Sequence, residues 1–200
     1  TQFLIAMSGG YLWSVLALIA VAAVVLGMGL PVTAAYIVLS IMAVPALMDF
    51  GLGVLTAHMI VFWLSQTSNV TPPIALAAFA GAGIANASPM RSAVQAFKLA
   101  QGFFLIPAMM AFSGLIWIDG EPMHFVIGVI STISLFVAFA GGIEGRLFAP
   151  LQQWQRVVLL VMALGVLFMS DIYRLVALAV IVVICLINYR QPDEPASQAS

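Results

Sequence analysis

Long apolar runs, broken in two places by residues that cannot continue a helix, set the pattern of this chain. The first run extends from about Tyr11 to Leu26 and stops at Gly27-Met28-Gly29-Leu30-Pro31. A second run, Thr33 to Met48, follows at once. With so few residues between them, the two predict a helical hairpin over 11–48. Arms of about 16 residues cover about 24 Å each at 1.5 Å per residue. That is short of a hydrocarbon layer about 30 Å thick. The hairpin is therefore expected to be re-entrant, with its tip inside the membrane.

Asp49, Gly51 and Gly53 predict a turn. The next run, Val54 to Ser65, breaks at Ser68-Asn69-Val70-Thr71-Pro72-Pro73 and resumes as Ile74 to Ala85. Neither half is long enough to span a bilayer, whereas together they are. One discontinuous helix is expected over 54–85. Pro72 and Pro73 remove two backbone donors and disfavour helix at the residues before them. Pro73 also fits the first position of the second half, where no donor is needed. Ser88 followed by Pro89 is a helix start. From Met90 to Gln101, Arg91, Gln95 and Lys98 fall on one helical face and Met90, Ala93, Val94 and Phe97 on the other. This predicts an amphipathic helix lying along the membrane surface. It leads into a spanning run, Phe103 to Ile118, with Pro107 as a kink. After a turn at Asp119–Pro122 come three further apolar runs, His124 to Ala140, Leu151 to Met169 and Ile172 to Tyr189. The Pro-, Gln-, Ser- and Ala-rich segment 190–200 is expected to be disordered. The fold class is all-α, polytopic and membrane-embedded. Its expected divisions are 1–88, 89–118, 119–189 and 190–200.

Composition excludes the soluble alternative. Of 200 residues, 64% are hydrophobic and 6% charged, against roughly 25% charged in a soluble domain. A net charge of −1 gives no reason to expect a nucleic-acid partner. Cys185 is the only cysteine, which excludes an intrachain disulfide. Its apolar surroundings predict a packed, inert thiol. Charge sets the orientation. If each full run crosses once, Arg91, Lys98, Arg146, Arg156 and Arg190 share one side. Asp119, Glu121 and Asp171 share the other, with Arg174 the exception. The positive side is cytoplasmic, so the hairpin enters and leaves from the external side.

The two breaks carry the candidate chemistry. Irregular backbone is tolerated in a bilayer only where protein buries it or where it lines a water-filled cavity. Two such breaks in succession predict a transport site at mid-membrane. At the hairpin tip, Gly27 and Gly29 allow backbone positions forbidden to other residues, Pro31 leaves carbonyls without a partner, and Thr33 offers a cap for the second arm. At the helix break, Ser65, Ser68, Asn69 and Thr71 put hydroxyl and amide oxygens beside freed carbonyls. Neutral oxygens at short distance suit Na⁺. The start of the second half-helix presents donors to an anion. The structural alternatives are an ordinary tight loop at the tip and, at the break, a proline kink stabilised by Ser and Thr back-bonding. His58 reads as a helix-packing histidine and the acids as solvated turn residues. Arg146 and Arg156 read as topology determinants. Gly141 and Gly145 match a GxxxG spacing at a loop edge. No phosphate-binding loop, HExxH or GxSxG is present, so the chain is not expected to be an enzyme or to need a cofactor beyond the coupling ion.

Two stretches, Gly27–Ser40 (GMGLPVTAAYIVLS) and Ser68–Leu99 (SNVTPPIALAAFAGAGIANASPMRSAVQAFKL), resemble the large membrane subunit of tripartite ATP-independent periplasmic (TRAP) transporters. The likeness covers roughly Tyr11 to Ile118. The apolar runs beyond it resemble the C-terminal extension of the fused-permease branch, in which small and large subunits form one polypeptide. The resemblance implies a multi-pass symporter of the inner membrane with Na⁺ coupling and elevator-type motion. It also implies a periplasmic solute-binding protein that delivers an organic acid, such as a dicarboxylate or glutamate. The family fold has two inverted repeats, and this chain holds one set. Since it starts at Thr1 with no basic leader, it is expected to be the C-terminal piece of a longer permease, with the other repeat and the small subunit in the missing N-terminal part. Carried over by position, Gly27, Met28, Gly29, Ser68, Asn69 and Thr71 would face the cation. Pro31, Thr33 and Pro72 would face the substrate. Asn69 departs from the family, where an acid often precedes the Thr-Pro-Pro.

Two other classes compete. An ion channel would line its pore with the unwound segment, but such a pore usually shows a charged ring or a symmetric filter, and neither is visible here. A membrane scaffold without a transport site accounts for the apolar runs but not for the paired breaks.

Overall fold

A computed structural model of the protein describes residues 2–113, 115–116, 122–168 and 171–189. The expected turn acids Asp119 and Glu121 and the segment 190–200 lie outside the described residues. The described chain is helical, in the order α1 (Gln2–Met7), α2 (Leu12–Gly27), α3 (Val32–Asp49), α4 (Val54–Ser65), α5 (Leu76–Ile84), α6 (Pro89–Leu99), α7 (Gly102–Phe112), α8 (Pro122–Glu144), α9 (Gln153–Phe168) and α10 (Asp171–Tyr189). A single turn of 3₁₀-helix, Gln66–Asn69, follows α4. The chain divides into two compact units, residues 1–111 and 112–200.

In the first unit, α2, α3 and α4 pack together. Each places a stripe of small and branched residues inward at helical spacing. The buried stripes are Val15, Ile19, Ala23 and Gly27 on α2, then Ala35, Leu39, Ala43 and Leu47 on α3. On α4 they are Ala57, Ile60, Val61 and Leu64. An i, i+4 repeat puts residues on one face, so the spacing itself selects the packed side. Val21, Val25, Ile37 and Ile41 point outward and are exposed. Helices apolar on all sides belong in a core or a membrane. Among the described residues, three helical segments are long and apolar enough to cross one: Val32–Asp49, Pro89–Phe112 taken as a unit, and Pro122–Glu144.

Several local expectations change. The second half-helix starts at Leu76, not at Pro73. Pro72 and Pro73 are joined by a cis peptide bond and lie in the turn ahead of it. The run expected from Phe103 to Ile118 ends as a helix at Phe112. Between α6 and α7 the helical ladder stops at the Ala100 N–H, which donates to the Ala96 carbonyl at 2.9 Å, and restarts with the Leu105 N–H on Gln101 at 3.2 Å.

The second unit is held by α8, α9 and α10. Gly142 lets α9 approach closely, since a Cβ there would lie 2.7 Å from Leu160 Cγ. Gly145 adopts φ +71° and ends α8, the ordinary role of a left-handed glycine past a helix C-terminus. The 141/145 pair is therefore not a helix-association face. The packing glycine is its neighbour. Arg156 caps α8 by donating from Nε to Gly142 O (3.1 Å) and from Nη2 to Ile143 O (3.0 Å). Arg174 is buried and donates to Val166 O at 3.2 Å and Phe112 O at 2.6 Å. Carbonyls at helix ends lack partners within their own helix, so a cation is well placed there. Asn188, fully buried, holds the α8–α9 connection with three bonds. It accepts from the Phe148 N–H (3.0 Å) and the Ala149 N–H (2.9 Å), and donates to Ala149 O (3.1 Å).

Candidate functional site

The hairpin tip folds back on the end of α2. The Met28 N–H reaches Val24 O at 3.2 Å, the Gly29 N–H reaches Leu26 O at 3.2 Å, and the Leu30 N–H reaches Leu26 O at 3.1 Å. Pro31 then opens α3 in the N-cap position, without a side-chain cap. Thr33 therefore does not cap the second arm as the sequence predicts. It sits one residue inside the helix and is exposed. The first N–H groups of a helix have no intrahelical acceptor, so the start of α3 carries open donors beside Pro31 and Thr33.

The helix break is built from its own hydroxyls. Ser65 Oγ donates to Val61 O (2.8 Å), and Thr67 Oγ1 donates to Leu64 O (2.7 Å). Thr67 O accepts from three donors, the N–H groups of Val70 (3.1 Å) and Thr71 (3.0 Å) and Thr71 Oγ1 (2.6 Å). Pro72 and Pro73 remove the donors that a continued helix would give the Ser68 and Asn69 carbonyls, while the hydroxyls bond carbonyls earlier in the chain. This is the back-bonding arrangement of a proline-stabilised break. It does not close the oxygens to a ligand. A hydroxyl that donates its proton to a carbonyl keeps lone pairs as acceptor, and those lone pairs face away from the bond it makes. Thr67, the hub of this network, is the residue that sequence reasoning misses. Its signal is the i, i+4 pairing with Thr71, one turn apart across the break.

The two breaks meet at Gly27. A Cβ on Gly27 would lie 2.5 Å from Ser68 Cβ, 2.8 Å from Ser68 Cα and 3.4 Å from Ser68 N. The last residue of α2 thus rests directly on the backbone of the 3₁₀ turn. Ser68 is 5% exposed and Thr71 is buried. Met28, Asn69 and Pro72 are half-buried, while Gly29, Pro31 and Thr33 are exposed. The structure thus joins Gly27 to Ser68 and Thr71 to Thr67. Among the described residues no hydrogen bond engages the side chain of Ser68 or Asn69. Nor is there, among the described residues, a group of three or more His, Cys, Asp or Glu that could hold a metal ion. A cation at this junction would meet neutral oxygens.

Below the tip, Tyr36 of α3 meets α4. Its hydroxyl lies 2.9 Å from His58 Nδ1 and its ring packs edge-on against Phe62 at 6.0 Å. His58 is therefore engaged in helix packing. α5 begins after Ala75, again without a side-chain cap.

A family model described as "Tripartite ATP-independent periplasmic transporter, DctM component" matches residues 1–118, which include both breaks and α1 to α7. Comparison with curated proteins and with solved structures gives no match. The chain belongs to the DctM family. It is a membrane component of a transporter family, not of an enzyme family, whose partners are a small membrane subunit and a periplasmic binding protein.

Proposed function

We propose that this member of the DctM family couples Na⁺ entry to the uptake of an organic acid across the inner membrane. The acid, of the dicarboxylate or glutamate kind, is delivered by the periplasmic solute-binding protein. The observation that carries this reading is the seating of Gly27 on Ser68. It brings an irregular backbone stretch from the hairpin against one from the broken helix, and such junctions are where secondary transporters hold their ions. Na⁺ binds first, between the Gly27–Gly29 carbonyls and the oxygens of Ser68, Asn69 and Thr71. The carboxylate then binds against the open N–H groups at the start of α3, near Pro31, Thr33 and Pro72. Hairpin and broken helix travel together as a transport body, and residues 89–118 belong to the static frame. Carrying both ligands together lowers the cost of moving a charged group through lipid. The apolar helices after residue 118 support membership of the fused-permease branch.

The test is uptake by the intact permease in proteoliposomes with its binding protein. Uptake is expected to follow an imposed Na⁺ gradient, and uptake indifferent to Na⁺ would remove the coupling. Asn69→Ala and Thr71→Ala should each raise the Na⁺ concentration for half-maximal uptake by about tenfold, equivalent to roughly 1.4 kcal/mol. Thr71→Ser keeps the hydroxyl and should stay near wild type. An unchanged Na⁺ dependence in both alanine variants takes these residues out of the site.

A further inference from the structure

We infer that α6 is a docking surface for anionic phospholipid headgroups, with Arg91 and Lys98 as the phosphate contacts. Within residues 1–111 these are the only Lys or Arg, and Asp49 is the only acid. Both cations therefore lie on one helix of eleven residues. They are seven positions apart, two turns or about 10 Å along the axis, and share a face. Both are exposed, and among the described residues neither is paired with an acid. The inner face of α6 is the alanine side. Ala93 is buried and Ala96 half-buried, and the helix packs against α5. The cations point away from that contact.

What lies beside the cations identifies the occupant. Met90 and Val94, expected on the face opposite the cations, are instead exposed and flank them. At about 100° per residue it is Ala93 and Ala96 that lie opposite. Leu99 at the helix end is 73% exposed. Phe97 is fixed edge-on against Phe104 of α7 at 5.9 Å. Water does not suit the apolar members of this face, and acyl chains do not suit its charges. The headgroup layer satisfies both, with apolar groups at the acyl boundary and cations at phosphate depth. A net positive surface with no acid of its own is complementary to anionic lipid and indifferent to zwitterionic lipid. Attraction of this kind amounts to about fivefold in local lipid affinity for each cation at the surface.

The experiment uses the intact permease, equilibrated with equal amounts of phosphatidylglycerol and phosphatidylcholine and analysed by native mass spectrometry. Wild type should retain phosphatidylglycerol preferentially. Arg91→Gln with Lys98→Gln should release at least one phosphatidylglycerol and leave phosphatidylcholine retention unchanged. The charge-conserving pair R91K and K98R should restore wild-type retention, which separates charge from any effect on folding. Equal phosphatidylglycerol retention in wild type and the glutamine pair overturns the inference. So does loss in the charge-conserving pair.

Discussion

Gly27→Ala is expected to separate the hairpin tip from the helix break and to remove most of the transport activity. Taken as a helix residue alone, Gly27 would gain from the change, because Ala is favoured over Gly in a helix by about 1 kcal/mol. Gly27 closes α2 and shows no positive φ, so no backbone strain opposes the alanine. The opposing effect is tertiary. The new methyl would lie 2.5 Å from Ser68 Cβ and 2.8 Å from Ser68 Cα. The second of these is backbone, which cannot rotate aside as a side chain can. Overpacking of this kind costs about 1–3 kcal/mol, so the net effect on stability is modest. The effect on the site is not, because any relief moves the tip off the turn by a substantial part of an ångström. The measurement is uptake alongside thermal unfolding of the purified permease. Uptake should fall far more than the melting temperature. Ser68→Gly in the same chain removes the nearer clash but leaves the clash with the main chain, and should restore only part of the activity. A methyl on Gly29 would meet nothing within 4 Å, so Gly29→Ala should leave uptake near wild type. If Gly27→Ala transports as wild type does, the tip and the turn do not act together.

Asn188→Leu should destabilise the second unit by roughly 3–5 kcal/mol, through polar groups left without partners. Leucine matches asparagine closely in length and branching, so packing is nearly conserved and the loss is polar. The N–H groups of Phe148 and Ala149 lose their partner, and the Ala149 carbonyl loses one of two, keeping the Leu147 N–H at 3.3 Å. Each orphaned buried group costs about 1–3 kcal/mol, and less where the connection relaxes toward water. Ala149 is 3% exposed, so its groups cannot relax without opening the connection. Limited proteolysis across residues 145–152 provides the measurement. The variant should be cut there at conditions that leave wild type intact. Equal resistance would show that the α8–α9 connection is held by packing alone.

Much of this architecture is legible in the sequence because its signals are local. Apolar runs mark the helices, and Gly-x-Gly and Pro-Pro mark where they stop. The bounds Val54–Ser65 for α4 follow directly from a run between Gly53 and the polar Gln66-Thr67-Ser68-Asn69. The start of α5 does not follow, because a proline that fits a helix start also fits a turn. Which of the two Pro73 occupies depends on the geometry of the whole 70–75 segment. The match of Gly27 to Ser68 joins residues 41 positions apart, from 27 to 68, and nothing in either neighbourhood specifies it. The i, i+4 stripe Val15, Ile19, Ala23, Gly27 shows in retrospect that the glycine belongs to the packed face. Arg174 shows the same limit. Its charge reads as an exception to the positive-inside pattern until its two carbonyl partners are seen.

The Tyr36–His58 bond has a mechanical consequence. A flap that swings about its base needs a free end and a free flank. Here the end is lodged against the 3₁₀ turn and the flank is pinned to the neighbouring helix by a phenol and an imidazole. Swinging would have to tear both attachments at once, whereas displacing hairpin and neighbour as one block breaks neither. In the elevator motion proposed above, entry and exit of cargo would be decided by where that block stands in the bilayer.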